Sequence, residues 1–156
     1  MPESASPGAR TPVRVFVSYA REDEAHLRTL EKHLSLLKRR GLVETWHDRM
    51  IGAGDEWAAR IDEALDLADV VLLLVSPDFI ASEYCVDREM ARAMERHDAG
   101  EARVVPIFVR HCDWRDAPFA RLQGLPRDAV PVTRWSDPDE AWTNVAVGLR
   151  AVIERR

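Results

Sequence analysis

The sequence predicts an α/β fold in which helices cover both faces of a parallel sheet. Two observations carry that reading. Five short apolar runs alternate along the chain with stretches whose apolar residues recur at helical spacing. The run from Val70 to Val75 is aliphatic throughout, as a strand buried on both faces must be.

The elements follow in order. Residues 13–17 (Val-Arg-Val-Phe-Val) read as a first strand. Leu27, Leu30, Leu34 and Leu37 then place one helix over residues 22–39, with Gly41 at the position that ends it. Residues 42–46 form a second strand, weakened by Glu44. Trp57, Ile61, Ala64 and Leu65 mark the next helix, and Asp55 is placed to cap it. After the strand at 70–75, Val86, Met90 and Ala93 share a face of a helix ending near residues 97–100. Residues 103–109 form a fourth strand, which Pro106 assigns to an edge. Residues 111–127 lack periodicity, residues 129–133 read as a short fifth strand, and Trp142, Val145, Leu149 and Val152 define a last helix. Right-handed crossovers between parallel strands then give a doubly wound, flavodoxin-like five-stranded sheet of order 2-1-3-4-5. Ligands of such sheets lie beyond the carboxyl ends of the strands, here the segments after Val17, Trp46, Val75 and Val109.

Bulk properties set limits on function. Residues 1–12, rich in Pro, Ser and Ala without apolar periodicity, read as a flexible tail, leaving one domain over residues 13–156. The net charge of −5, with Lys and Arg dispersed, does not fit a nucleic-acid-binding surface. No apolar run is long enough for a bilayer, and no secretory segment opens the chain, so a cytoplasmic location is expected. Cys85 and Cys112 are expected to be reduced thiols. The adjacent ligand types in His111-Cys-Asp113 converge poorly on one ion, so no metal site is expected.

Several chemistries are absent from the strand ends. The turn after the first strand, Ser18-Tyr-Ala-Arg-Glu-Asp23, lacks the glycines of a dinucleotide fingerprint or P-loop. Ser18-Tyr19 and Ser76-Pro77 stand where a phosphorelay receiver needs acids. There is no GxSxG elbow.

Three ordered segments do carry a resemblance. They are Val15-Phe-Val-Ser-Tyr-Ala-Arg-Glu-Asp23, Trp46-His-Asp-Arg-Met-Ile-Gly-Ala-Gly-Asp-Glu-Trp57 and Leu74-Val-Ser-Pro-Asp-Phe-Ile-Ala-Ser-Glu-Tyr-Cys-Val-Asp-Arg-Glu-Met90. Over residues 13–153 the chain resembles the Toll/interleukin-1 receptor (TIR) domain family, particularly its bacterial, NAD⁺-cleaving branch. The first segment matches the family's opening strand and loop, the second its BB-loop, the third its strand C and the start of helix C.

The resemblance implies an NAD⁺ nucleosidase that breaks the nicotinamide–ribose bond, giving nicotinamide and ADP-ribose or a cyclic isomer. NAD⁺ is then the substrate, and no separate cofactor is expected. The family's carboxylate carries over to Glu89. One carboxylate can be enough, because it stabilises the oxocarbenium-like ribose while nicotinamide leaves without a general acid. Many members space the aromatic and the Glu four apart, whereas Tyr84 to Glu89 is five, so Asp87 is a second candidate and Glu83 a third. The plainer alternative makes Glu89 a solvated helix charge among Asp87, Arg88 and Arg92.

The same resemblance places Ser18, Tyr19, Ala20, Asp48, Arg49, Ile51, Trp57, Ser82, Tyr84 and Cys85 around the substrate. Each has a simpler reading as well. Tyr19 could pack on the sheet, Asp48 could shape a turn, Trp57 could be helix core, and Ser82 could cap the helix after it. The implied partners are further copies of the TIR domain and a separate sensor or effector protein, with neither nucleic acid nor membrane. The competing functional class is a TIR module that binds other TIR domains without turnover, since one fold hosts both. Glycosyl exchange through the same Glu is a third reading.

Overall fold

The structure, a computed structural model, describes residues 11–155. Four parallel strands form the sheet: β1 (Val13–Ser18), β2 (Val43–Trp46), β3 (Val70–Val75) and β4 (Arg103–Phe108). Their order is β2-β1-β3-β4, which is the expected doubly wound arrangement as far as the fourth strand. β1 and β3 are paired on both sides. Val17 lies opposite Leu72, and Leu72 opposite Val105.

Because side chains alternate across a strand, each central strand feeds two cores. Val15, Val17, Leu72, Leu74, Val105 and Ile107 pack on one face, against helices α1 (Glu24–His33), α2 (Ser35–Arg39) and α6 (Pro138–Glu154). Phe16, Val71, Leu73, Val75, Val104 and Phe108 pack on the other. That second face is covered by α3 (Trp57–Leu67), α4 (Pro77–Ala81) and α5 (Ala91–Asp98). All six residues of β3 are buried, as its unbroken aliphatic run requires.

Four expectations are corrected in detail. The helix expected over residues 22–39 is a short 3₁₀ turn (Arg21–Asp23) followed by α1 and α2, divided at Leu34. There the Ser35 hydroxyl donates to the Glu31 carbonyl at 3.3 Å, a back-bond that disturbs helix continuation. Gly41 ends α2 as expected, at φ +70°, with Leu42 N–H reaching the Leu37 carbonyl at 3.0 Å. Asp55 does not cap α3. Its Oδ2 instead accepts from Gly52 N–H at 2.9 Å, and Glu56 takes the cap position without a side-chain bond.

The fifth strand is the third correction. Residues 129–133 lie among two 3₁₀ turns, Arg127–Ala129 and Val132–Arg134. Asp128 and Ala129 have φ of 60° and 56°, outside any strand, and Pro131 has no N–H to offer a ladder. The outer edge of β4 is still occupied. Leu125 N–H donates to the Pro106 carbonyl at 2.9 Å, Phe108 N–H to the Leu125 carbonyl at 2.8 Å, and Thr133 N–H to the Val109 carbonyl at 3.1 Å. Pro106 thus sits on the edge strand, with the side that lacks an N–H turned outward, as its position in the sequence implies.

The fourth concerns the helix that carries Val86, Met90 and Ala93. It is not one regular α-helix: residues Cys85–Met90 form a π-helical turn that runs into α5.

One buried and one half-buried cation brace the layers. Arg96, 8% exposed, donates to the carbonyls of Leu65 and Ala68 at 2.6 Å each, satisfying orphan groups at the end of α3. Arg110 follows β4 and donates from Nε to Asp23 at 2.9 Å, and it also pairs with Asp78. Asp23, 1% exposed, accepts in addition from the Ser76 hydroxyl. Among the described residues, no helix is long and apolar enough to cross a membrane. The tail expected over residues 1–12 lies mostly outside the described residues.

Gly124 makes the approach to the β4 edge possible, since an added Cβ would lie 2.9 Å from the Pro106 carbonyl oxygen and against the Phe108 ring. Gly124→Ala is therefore expected to destabilise the fold by about 1–3 kcal/mol. A lower urea midpoint at unchanged slope would show it, and an unchanged midpoint would refute the steric account.

Candidate active site

The strand ends bring three parts of the chain together. β1 ends at Ser18, which is followed by Tyr19 and Ala20, all three buried. β2 leads into His47 and a 3₁₀ turn (Asp48–Met50), then into the loop before Trp57. β3 ends at Ser76, whose hydroxyl caps α4 by accepting from Phe79 N–H at 3.0 Å. Ser82 then caps the following turn, accepting from Cys85 N–H at 3.2 Å.

That turn is the π-helical segment Cys85–Met90. In a π turn the hydrogen bonds run i→i+5, so the chain takes one more residue per turn than in an α-helix. The five-residue separation of Tyr84 and Glu89 is thereby accommodated on one side of the helix. Of the three carboxylates weighed from the sequence, Glu83 and Asp87 are exposed, and Glu89 is 4% exposed and turned toward the strand ends. Its Oε1 accepts from the hydroxyl of the fully buried Ser18 at 2.5 Å.

Burial above all, helped by the nearby charge of Asp48, pushes the Glu89 carboxyl up to about 7 against the Ser18 hydrogen bond and Arg88, which lower it. The neighbouring groups are held neutral by the same enclosure. Burial raises the Cys85 thiol to about 11, and its Sγ donates to the Tyr19 carbonyl at 3.5 Å. Burial, then Asp48, raises the Tyr19 phenol, whose hydroxyl donates to Asp48 Oδ1 at 3.0 Å.

An aromatic pair stands beside this carboxylate. The rings of Trp57 and Tyr84 lie 4.6 Å apart, inclined at 38°. Trp57 is 47% exposed, so it belongs to the rim rather than to the core of α3. The Tyr84 hydroxyl is buried without a hydrogen-bond partner among the described residues, and burial raises it to about 12. Arg88 lies over the Tyr84 ring at 5.9 Å and donates to Asp62 at 2.7 and 3.3 Å.

The remaining residues expected at the site divide. Asp48 and Ile51 are half-buried, Asp48 held by Tyr19 and Ile51 packed against the second core. Arg49 is exposed and pairs with Glu24 at 3.1 Å. Ala20 lies 4% exposed beneath the cleft. Sequence reasoning missed Arg88 and the Asp23–Ser76–Arg110–Asp78 network, although each network member stands just beyond a strand. Among the described residues, no group of three or more His, Cys, Asp or Glu is disposed to hold a metal ion.

The raised Glu89 carboxyl has a consequence for stability. A carboxyl that binds its proton more tightly in the folded state favours folding below the unfolded value, near 4.5, and loses that contribution as pH rises through about 7. Glu89→Gln, which carries no charge, should gain stability relative to the parent across that window, by on the order of 3 kcal/mol. Parallel unfolding curves at several pH values measure the difference, and a flat difference would contradict the buried, protonated carboxyl.

Residues 15–144 match the TIR domain family. The chain is 55% identical over 141 residues to the uncharacterized protein y4lF of Sinorhizobium fredii (strain NBRC 101917 / NGR234). That match covers 90% of this chain and 44% of the relative, so the chain spans less than half of the relative's length. Among solved structures, it is similar to the TIR domain of the Toll-related receptor TRR-2 from Hydra magnipapillata. The TM-score is 0.63 at 21% identity, over 90% of this chain and 97% of the other. The TIR domains of the activated Roq1 resistosome, which directly recognizes the pathogen effector XopQ, are also similar, with a TM-score of 0.51 at 21% identity over 86% and 84% of the two chains. With residues 15–144, most of its length, matched by the family, the chain belongs to the TIR domain family.

Proposed function

We propose that this TIR domain is an NAD⁺ nucleosidase whose catalytic carboxylate is Glu89. The observation that carries the reading is the burial of the Glu89 carboxyl at the strand ends, hydrogen-bonded to Ser18 and without a paired cation of the kind Asp23 has, beside the Tyr84–Trp57 aromatic pair. A buried carboxylate is costly to retain unless it serves a purpose, and perturbed acids cluster at functional sites. The aromatic pair offers a flat surface to nicotinamide or adenine, and Asp48 and Arg49 offer partners to ribose hydroxyls and phosphates.

In the reaction the C–N bond between ribose and nicotinamide breaks, and its electron pair leaves with nicotinamide, which becomes neutral. The positive charge passes to the ribose as an oxocarbenium-like centre, which ionised Glu89 stabilises. Water then attacks and releases a proton, giving ADP-ribose; attack by an adenine nitrogen gives a cyclic isomer instead. NAD⁺ is the substrate, and the residues around Glu89 call for no further cofactor. A cytoplasmic setting, where NAD⁺ is plentiful, suits the reaction.

Glu89 is nearly enclosed, so the groups around it must move for substrate to reach it. We infer that contact with further TIR domains supplies this opening, and that the protein is a bacterial defence or signalling component answering to a separate sensor or effector protein. Assembly of TIR domains within the Roq1 resistosome supports this by analogy. A second reading is a non-catalytic TIR–TIR interaction module. It is favoured by the same enclosure of Glu89 and by the exposure of Met50 and Trp57 on the adjoining loop and helix.

Nicotinamide release from NAD⁺ tests both. Specific activity should rise with protein concentration, and Glu89→Ala should lower turnover about 100-fold or more while Asp87→Ala retains it. Loss in Asp87→Ala with retention in Glu89→Ala would move the catalytic role to Asp87. Absence of release at every protein concentration and under crowding would favour the interaction module. Full activity in dilute solution would remove the assembly requirement.

A further inference from the structure

Ser18 stands at the end of a strand where a polar side chain would ordinarily be read as a substrate contact. Its geometry differs. The residue is fully buried, its backbone is fixed in the sheet opposite Leu73, and its hydroxyl is committed to Glu89 Oε1 at 2.5 Å. A substrate could not touch that hydroxyl without first displacing Glu89. A second tie joins the same stretch of chain to the same turn, because the Cys85 thiol donates to the Tyr19 carbonyl. Glu89 Oε2 accepts no comparable bond among the described residues.

We propose that Ser18 is a positioning residue: its hydroxyl fixes one oxygen of Glu89 so that the other is presented to the reacting ribose. The inference rests on the catalytic reading of Glu89. It follows from the need to hold a catalytic group by packing and hydrogen bonds before substrate arrives, and a rigid strand does this better than a loop. A π turn makes that anchor valuable. It is a local departure from α geometry, and the Ser18 and Cys85 bonds tie it to the sheet at two points.

Ser18 also acts on the proton affinity of Glu89. The groups facing that carboxyl are Ser18 from β1, Asp48 from the loop after β2, and Tyr84, Cys85 and Arg88 from its own helical segment. Burial and Asp48 favour the protonated form, while Ser18 and Arg88 favour the ionised one. Removing the hydroxyl therefore raises the carboxyl further, and more alkaline pH is needed to ionise it.

The test compares the parent chain with Ser18→Ala and Ser18→Thr, following nicotinamide release from NAD⁺ across roughly pH 5 to 9. Melting curves establish that each variant is folded. Ser18→Ala is expected to lower kcat about 10- to 100-fold with KM changed less than about twofold, and to move the acid limb to higher pH by about one unit. Ser18→Thr, which keeps the hydroxyl, restores both. A raised KM at unchanged kcat would make Ser18 a substrate contact and overturn the proposal, as would an acid limb that does not move. If Ser18→Ala does not fold, Ser18→Cys, a weaker donor of similar size, carries the same comparison. Carboxyl ¹³C titration of Glu89 in the parent and the variant gives an answer independent of turnover. An upward shift shows that Ser18 holds the Glu89 carboxyl whether or not the parent cleaves NAD⁺; absence of cleavage would sink the nucleosidase reading and, with it, the presentation of Glu89 to ribose. An unshifted titration overturns the positioning role.

Discussion

Everything in this domain is arranged around β3, a strand that can be satisfied only by burial on both faces and both edges. Its six aliphatic residues are all enclosed. β1 and β4 supply the edges, helices α1, α2 and α6 one face, and α3, α4 and α5 the other. Helical crossovers between parallel strands must then all return over the same end of the sheet. The chain leaves each strand at the opposite end, and polar residues gather there because no helix covers it. The position of Ser18, Asp48, Ser76 and Arg110 at one rim is thus a consequence of the hydrophobic demand of β3.

That rim carries two kinds of polar burial. In the Asp23–Ser76–Arg110–Asp78 group, opposite charges and hydroxyls meet one another, and the result braces α1 against the ends of β3 and β4. Around Glu89 the compensation is partial: one hydroxyl faces the carboxyl, while Asp48 adds a like charge and Arg88 is committed to Asp62. A network that satisfies itself has no call on an outside ligand. A partly compensated carboxyl does, and a substrate with positive charge at its reacting centre would relieve it. Electrostatics therefore separates the structural cluster from the site proposed for chemistry, although the two lie at the same end of the sheet.

Much of the fold was legible because periodicity reports burial directly. The strand at 70–75 and the leucines at 27, 30, 34 and 37 needed no tertiary information. What failed depended on competition between local partners. Asp55 could cap a helix or bind Gly52, and Ser35 could continue a helix or bond back to Glu31. Residues 129–133 have strand-like side chains, yet Pro131 and the positive φ angles of Asp128 and Ala129 direct the backbone elsewhere. At the site, the ordered motifs led to the rim where Ser18 and Glu89 meet, but neither the enclosure of Glu89 nor the Ser18 bond could be read without the helix geometry. The spacing ambiguity between Asp87 and Glu89 was itself the trace of the π turn.

The π-helical segment Cys85–Met90 has a consequence for how related sequences are compared. A one-residue insertion in a helix ordinarily rotates everything beyond it to a new face; a π turn absorbs it within a single turn and leaves the flanking faces in phase. A search pattern that fixes the interval between the aromatic and the acid would discard this chain, and an ungapped alignment would set Arg88 against the acidic column. Under the catalytic role proposed for Glu89, aligning by burial, with the gap placed inside the turn, puts Glu89 in that column and treats four- and five-residue intervals as two spellings of one surface.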